Sequence, residues 1–191
     1  GLPVYGFPKS FSTLGQGYIW IFPIPVILMT FVFIISYLVL NKTVFGRHVY
    51  GVGGNEEASR LSGIAIKKVK YAVYGINGFL ASMAGVVLLS RVNSGQPKAG
   101  DGYEMDIITA VILGGVSIVG GAGSILNVIV GVMIMGVLAN GMILLNVDDY
   151  YQRIIKGSVL LIAVAFDQMS KKKASQVKET VKPSNNQNIS M

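Results

Sequence analysis

The sequence contains no cysteine and a single histidine, His48. The first absence excludes disulfides and thiol chemistry. The second leaves little for acid–base catalysis, and His48, beside Arg47, reads as an interfacial residue. Charge is scarce too: 13% of the 191 residues are charged, against roughly a quarter in soluble domains. Hydrophobic residues make up 52% and mean hydropathy is +0.59. The deficit is uneven, with no charge in segments 10–41, 71–90 or 107–147. A hydrocarbon core about 30 Å thick needs about 20 apolar residues as helix, and a charge at its centre costs about 2.5–3.5 kcal/mol. Long uncharged runs between charged connectors are the pattern that cost produces. The chain is a membrane protein of all-α class.

Acidic residues are the scarcer sign, nine against sixteen Lys and Arg, for a net charge of +7. In a soluble protein that excess would suggest nucleic acid; here it marks cytoplasmic loops, and no nucleic-acid partner is expected. The chain also lacks a phosphate-binding loop. Gly51-Val52-Gly53-Gly54 is not G-x-G-x-x-G, and G-x-x-x-x-G-K-[ST] occurs nowhere. No cofactor is expected in this chain. It begins at Gly1 rather than Met, without a signal-like basic start, and is expected to be a piece of a longer protein.

Hydropathy predicts about five transmembrane helices, over 18–40, 69–90, 103–118, 125–146 and 151–169. Tyr18 and Trp20 suit an aromatic belt, and Pro23 and Pro25 fall in the opening turns of the first span. The second carries Gly75, Gly78, Ser82 and Gly85 on one face, either for close helix packing or as a pore lining. The third is short and glycine-rich, either a broken helix or a re-entrant segment. Arg153, Lys156 and Asp167 sit near the ends of the fifth. Lys42, Arg47, Arg60, Lys67, Lys68 and Lys70 crowd the 41–68 connector and its edge, and Lys171, Lys172, Lys173, Lys178 and Lys182 the tail. The positive-inside rule places both in the cytoplasm, which requires an odd number of crossings. Residues 170–191 are expected to form a disordered basic cytoplasmic tail.

The connector is far longer than the usual 2–8 residues between helices. Asn55 can cap a helix, Glu56 and Glu57 favour its dipole, and Gly63 can end it two turns later. Glu56, Glu57 and Arg60 would offer polar contacts, with Ala58, Leu61 and Ile64 as apolar anchors. Two acidic groups, Asp101/Glu104/Asp106 and Asp148/Asp149, lie toward the opposite side. They read as a solvated rim or as salt-bridge partners for a docking protein, with Ca²⁺ binding the lesser alternative.

At residues 57–63 (EASRLSG) the sequence resembles the E-A-A-x-x-x-G loop of ABC importer permeases, with Ser59 in the second alanine position. Residues 45–50 (FGRHVY), 53–64 (GGNEEASRLSGI), 90–97 (SRVNSGQP), 102–106 (GYEMD), 113–117 (LGGVS) and 120–123 (GGAG) resemble the ribose, arabinose and galactose permeases of that class. The resemblance covers about residues 40–168. It implies the C-terminal half of a monosaccharide permease in the prokaryotic inner membrane, with no catalytic or metal site of its own. Asn55, Glu56, Glu57, Ala58, Ser59, Arg60, Leu61 and Gly63 would form the coupling helix that docks on a separate ATPase subunit, where ATP and Mg would bind. A periplasmic or lipid-anchored sugar-binding protein and a second permease subunit would complete the assembly.

For a sugar path, Asn77, Thr109, Ser117, Asn127 and Asn140 are candidates, with Tyr71, Tyr74 and Tyr103 as stacking faces. Interhelical hydrogen bonding is the competing role for each. Rival readings are a permease for nucleosides or branched-chain amino acids, an ion-coupled transporter, which would want a charge near the bilayer midplane, and a subunit with no transport path.

Overall fold

The computed structural model describes residues 2–180, whose regular structure is helical apart from one minimal hairpin. Three helices are long and apolar enough to cross a membrane: α2 (Ile24–Lys42), α5 (Ile66–Val92) and α7 (Ile125–Leu144). At 1.5 Å per residue they measure about 28, 40 and 30 Å, each enough for the hydrocarbon core. The other two expected spans differ. Helix α6 (Tyr103–Leu113) has 11 residues, about 16 Å, roughly half a crossing. Gly114 and Gly115 end it, Gly115 at φ +75, and residues 114–124 continue as a turn-rich segment instead of helix. Helix α8 (Asp149–Thr180) is long enough, but Arg153, Lys156 and Asp167 keep it out of the apolar class. Five crossings are therefore not established; three are compatible by length and composition.

Helix ends differ from expectation for local reasons. The first span starts at Ile24 because Pro23 and Pro25 suit only a first turn. Ahead of it, β1 (Tyr18–Ile19) pairs antiparallel with β2 (Phe22–Pro23), and Trp20 turns between them at φ 59. Helix α5 stops where Asn93 adopts the left-handed conformation, φ 52, one of the few non-glycine residues that does so readily. The last helix continues to Thr180, past the expected end at 169. Its sequence there holds four Lys with one Ala, one Gln and one Glu, which favour helix, and neither Gly nor Pro. The rest of the expected tail lies outside the described residues.

The N-terminal segment is structured. Helix α1 (Lys9–Gln16) lies on the C-terminal end of α5, where the Ser90 hydroxyl accepts from Gly15 N at 2.7 Å and donates to Phe11 O at 2.5 Å. Gln16 Nε2 donates to Arg91 O at 2.9 Å. Ser90 is fully buried, so these bonds satisfy a polar group that would otherwise be costly. Beyond α1, Val4 bridges to Gly95.

Helix α6 packs against both α7 and α8. A Cβ on Gly131 of α7 would overlap the Ala110 carbonyl oxygen and stand 2.8 Å from Gly114 N, and one on Gly114 would stand 2.7 Å from Asn127 O. The two backbones touch, the small-residue mode of packing in lipid. By contrast Gly75, Gly78 and Gly85 on α5 face open space within this chain. Among the described residues only Val69, Ala110, Met135 and Met142 are buried hydrophobics, while Phe31, Phe79, Val137 and Leu161 stand exposed. Apolar surface on this scale calls for lipid or further protein as its cover.

Candidate functional site

The connector folds as two helices. Thr43 closes α2 by donating to Val39 O at 2.6 Å and opens α3 (Val44–Gly54) by accepting from Gly46 N at 3.3 Å. Asn55 separates α3 from α4 (Glu56–Leu61), and its Oδ1 accepts from Ala58 N at 2.9 Å. That bond satisfies one of the helix's orphan donors. At the other end Gly63 N donates to Arg60 O at 3.0 Å and Ile64 N to Ser59 O at 3.1 Å, with Gly63 at φ +80. These two bonds form a Schellman end, which requires a left-handed residue at the glycine position. A six-residue helix is unstable alone; here both ends are capped.

Side chains of α4 divide by direction. Ser59 is buried against α3, close to Gly51. Glu56 Oε2 accepts from Lys70 Nζ at 2.7 Å, tying α4 to the start of α5. Glu57 pairs with Arg60 at 2.5 Å, both about two-thirds exposed (64% and 67%), so the pair adds little stability. Ala58 is exposed, Leu61 is 80% exposed, and Ile64 is half-buried. The outward surface thus presents a carboxylate, a guanidinium and a leucine, a composition suited to a protein partner. Ile64, expected as an outward anchor, is partly used inside.

Behind α4 lies a contact that sequence reasoning missed. Gly53 and Gly54 meet Gly120 and Gly121 of the segment between α6 and α7: a Cβ on Gly53 would lie 2.6 Å from Gly121 N, and one on Gly120 2.8 Å from Gly53 O. Tyr50 Oη donates to Gly123 O at 3.2 Å. Both Gly-Gly pairs stood in the motifs 53–64 and 120–123, but sequence spacing alone does not say that they touch.

At the opposite end, a cavity of about 390 Å³ opens between the N-terminal ends of α6 and α8, lined in part by Asp101, Glu104, Asp106, Asp149, Arg153 and Lys156. Lys156 Nζ pairs with Asp106 Oδ2 at 2.6 Å, both side chains largely buried (22% and 28% exposed). Arg153 and Asp101 are 3.9 Å apart and exposed. Two of the acidic groups expected on a free rim are therefore paired within the chain. Replacing Asp106 with Asn is expected to lower stability by about 1–2 kcal/mol by stranding Lys156. A thermal-melting cycle over Asp106→Asn, Lys156→Met and the double variant checks it: the double should lose less than the sum. Strict additivity would show the pair contributes nothing. Among the described residues no group of three or more His, Asp or Glu could hold a metal ion.

The candidate path residues do not converge. Asn77 is exposed on α5, and Asn127 and Asn140 are exposed near the two ends of α7, about 20 Å apart along its axis. Thr109 is 1% exposed and donates to Met105 O at 2.7 Å. Ser117 lies in the segment after α6, its backbone N bonded to Ala122 O. Tyr71 and Tyr74 are each 74% exposed on α5, and Tyr103 begins α6. Among the described residues, Thr109 lines the cavity between α6 and α8, while Ser117 lines a separate one beside Tyr50 and Gly120.

A family model described as branched-chain amino acid transport system / permease component matches residues 3–164, so the similarity takes in the N-terminal span and α1 as well. The ribose import permease protein RbsC of Bacillus subtilis (strain 168) is 46% identical over 169 residues, 87% of this chain and 52% of its own length. RbsC of Escherichia coli (strain K12) is 49% identical over 145 residues, 76% and 45%. The L-arabinose transport system permease protein AraH of Escherichia coli (strain K12) is 42% identical over 164 residues, 86% and 50%. The chain spans about half the length of the curated relatives it matches. No solved structure matches it.

Proposed function

Because the chain belongs to the branched-chain amino acid transport system / permease component family, we propose that it is half of the membrane subunit of an ATP-driven monosaccharide importer. The observation that carries the reading is α4: a helix capped at both ends, tied back to α5, with Glu57, Arg60 and Leu61 turned outward. Such a preformed surface fits a separate ATPase subunit, since a rigid anchor loses little entropy on docking. Relatives named for ribose and arabinose support a pentose or similar monosaccharide as substrate. Asn77, Thr109, Ser117, Asn127 and Asn140 then become path residues only together with surfaces from the other half and from a second permease subunit.

In this reading the protein spans the inner membrane several times, with the 41–68 connector and the C-terminus in the cytoplasm. ATP and Mg bind the partner ATPase, whose closure pushes on α4 and rocks the spans. A periplasmic or lipid-anchored sugar-binding protein delivers substrate on the face that carries the Asp106–Lys156 cavity. The family description favours one second reading, a permease for branched-chain amino acids.

The test is purification of the full-length permease from its native membrane with whatever accompanies it, then uptake in proteoliposomes. ATP-dependent accumulation of labelled ribose or arabinose, undiminished by excess leucine, is the expected result. Accumulation of leucine instead selects the second reading. Recovery of the permease without any ATPase, under conditions that preserve such complexes, removes both.

A further inference from the structure

We propose that the contact of Gly53 and Gly54 with Gly120 and Gly121 is the joint through which movement of α4 reaches α6 and α7. This rests on the coupling reading above and extends it to residues outside α4.

The argument is geometric. Asn55 follows Gly54 directly and caps α4, so α3 and α4 share a corner. At that corner four glycines bring two backbones together, and at Gly53, Gly120 and Gly121 there is no room for a side chain. A Cβ on Gly121 would overlap Gly54 Cα, one on Gly53 would lie 2.6 Å from Gly121 N, and one on Gly120 2.8 Å from Gly53 O. Contacts between side chains can absorb a displacement by changing rotamer; two touching backbones cannot. Gly120 (φ +99) and Gly121 (φ +73) also hold the left-handed conformations that shape the turn. Tyr50 Oη, bonded to Gly123 O at 3.2 Å, adds a second attachment one turn back along α3.

Beyond the joint, the 114–124 segment connects directly to both α6 and α7. Helix α6 ends at Leu113 and α7 begins at Ile125, and their backbones touch at Gly114 and Gly131. Helix α6 in turn is held to α8 by Asp106–Lys156. A push on the corner at Gly54 therefore meets backbone contacts from the connector through to α6 and α7. Coupling between distant sites is carried by packed, rigid elements of this kind.

The experiment uses the full-length permease assembled with its ATPase and sugar-binding protein in proteoliposomes, recording ATP hydrolysis and sugar uptake together. Gly53→Ala, a change compatible with helix, forces the corner away from Gly121. It is expected to keep the ATPase subunit bound and basal hydrolysis near the wild-type rate, while uptake per ATP falls by about tenfold. Tyr50→Phe deletes only the hydroxyl and is expected to lower the same ratio by about threefold. A wild-type ratio in assembled Gly53→Ala overturns the joint. If Gly53→Ala fails to assemble, Tyr50→Phe decides, and an unchanged ratio there overturns it as well. Failure of the parent reading looks different: the wild-type permease itself would recover no ATPase.

Discussion

Gly63→Val in the full-length permease is expected to abolish most ATP-driven uptake, by more than about tenfold, while leaving the protein in the membrane. A Cβ at Gly63 meets nothing within 4 Å, so the cost is conformational. The residue holds φ +80, which costs a β-branched side chain about 1–2 kcal/mol or more. The two bonds that end α4 depend on that conformation, and a helix of six residues has no other turn to fall back on. The surface carrying Glu57, Arg60 and Leu61 loses its shape even though none of the three is changed. Gly63→Asn, which tolerates the left-handed region, should retain much of the uptake. Glu57→Ala tests the surface itself, because its exposed pair with Arg60 contributes little to folding. Simultaneous measurement of bound ATPase, hydrolysis and uptake separates loss of coupling from loss of protein. Normal transport by both Gly63→Val and Glu57→Ala would end the assignment of 56–61 as the ATPase contact.

The second large effect is expected at Gly131. Its position against the Ala110 carbonyl means that even Gly131→Ala must separate α6 from α7. Overpacking typically costs about 1–3 kcal/mol, and more where backbone is the obstacle. The purified variant should melt well below wild type or fail to accumulate. Ala110→Gly should not rescue it, since the clash is with the carbonyl oxygen and not the methyl group. Gly136, on the same helix with open space around it in this chain, supplies the contrast: Gly136→Ala should accumulate normally. Equal behaviour of the two variants would mean that α6 and α7 do not touch at Gly131.

Particular residues show what could be read early and what could not. Asn55 and Gly63 were legible because capping is local: the bonds run three to five residues along the chain, so spacing alone predicts them. The starts of α5, α6 and α7 fall at or within three residues of the expected 69, 103 and 125 because charge and glycine mark the limits of an apolar helix. The end of α6 was misjudged. Apolar content continues through Val116 and Ile118, but Gly115 turns the chain first, and hydropathy does not register a left-handed residue. Helix α1 escaped notice because its anchor, Ser90, lies 75 residues away from Gly15.

The sequence by itself determined the solvent and much of the helical framework. Uncharged runs demand lipid, and caps and glycines divide the runs into helices through interactions no longer than a turn. The family also follows from the ordered motifs. Only the tertiary structure decided which glycines meet. Gly53 and Gly121, Gly131 and Ala110, and Asp106 and Lys156 are pairs set by how helices cross, and a glycine carries no side chain whose chemistry could announce its partner. Gly75, Gly78 and Gly85 look the same in sequence as Gly114 and Gly131, yet face open space within this chain. Close approach depends on what arrives from elsewhere in three dimensions, and that is a property of the packed helices rather than of the run in which a glycine stands.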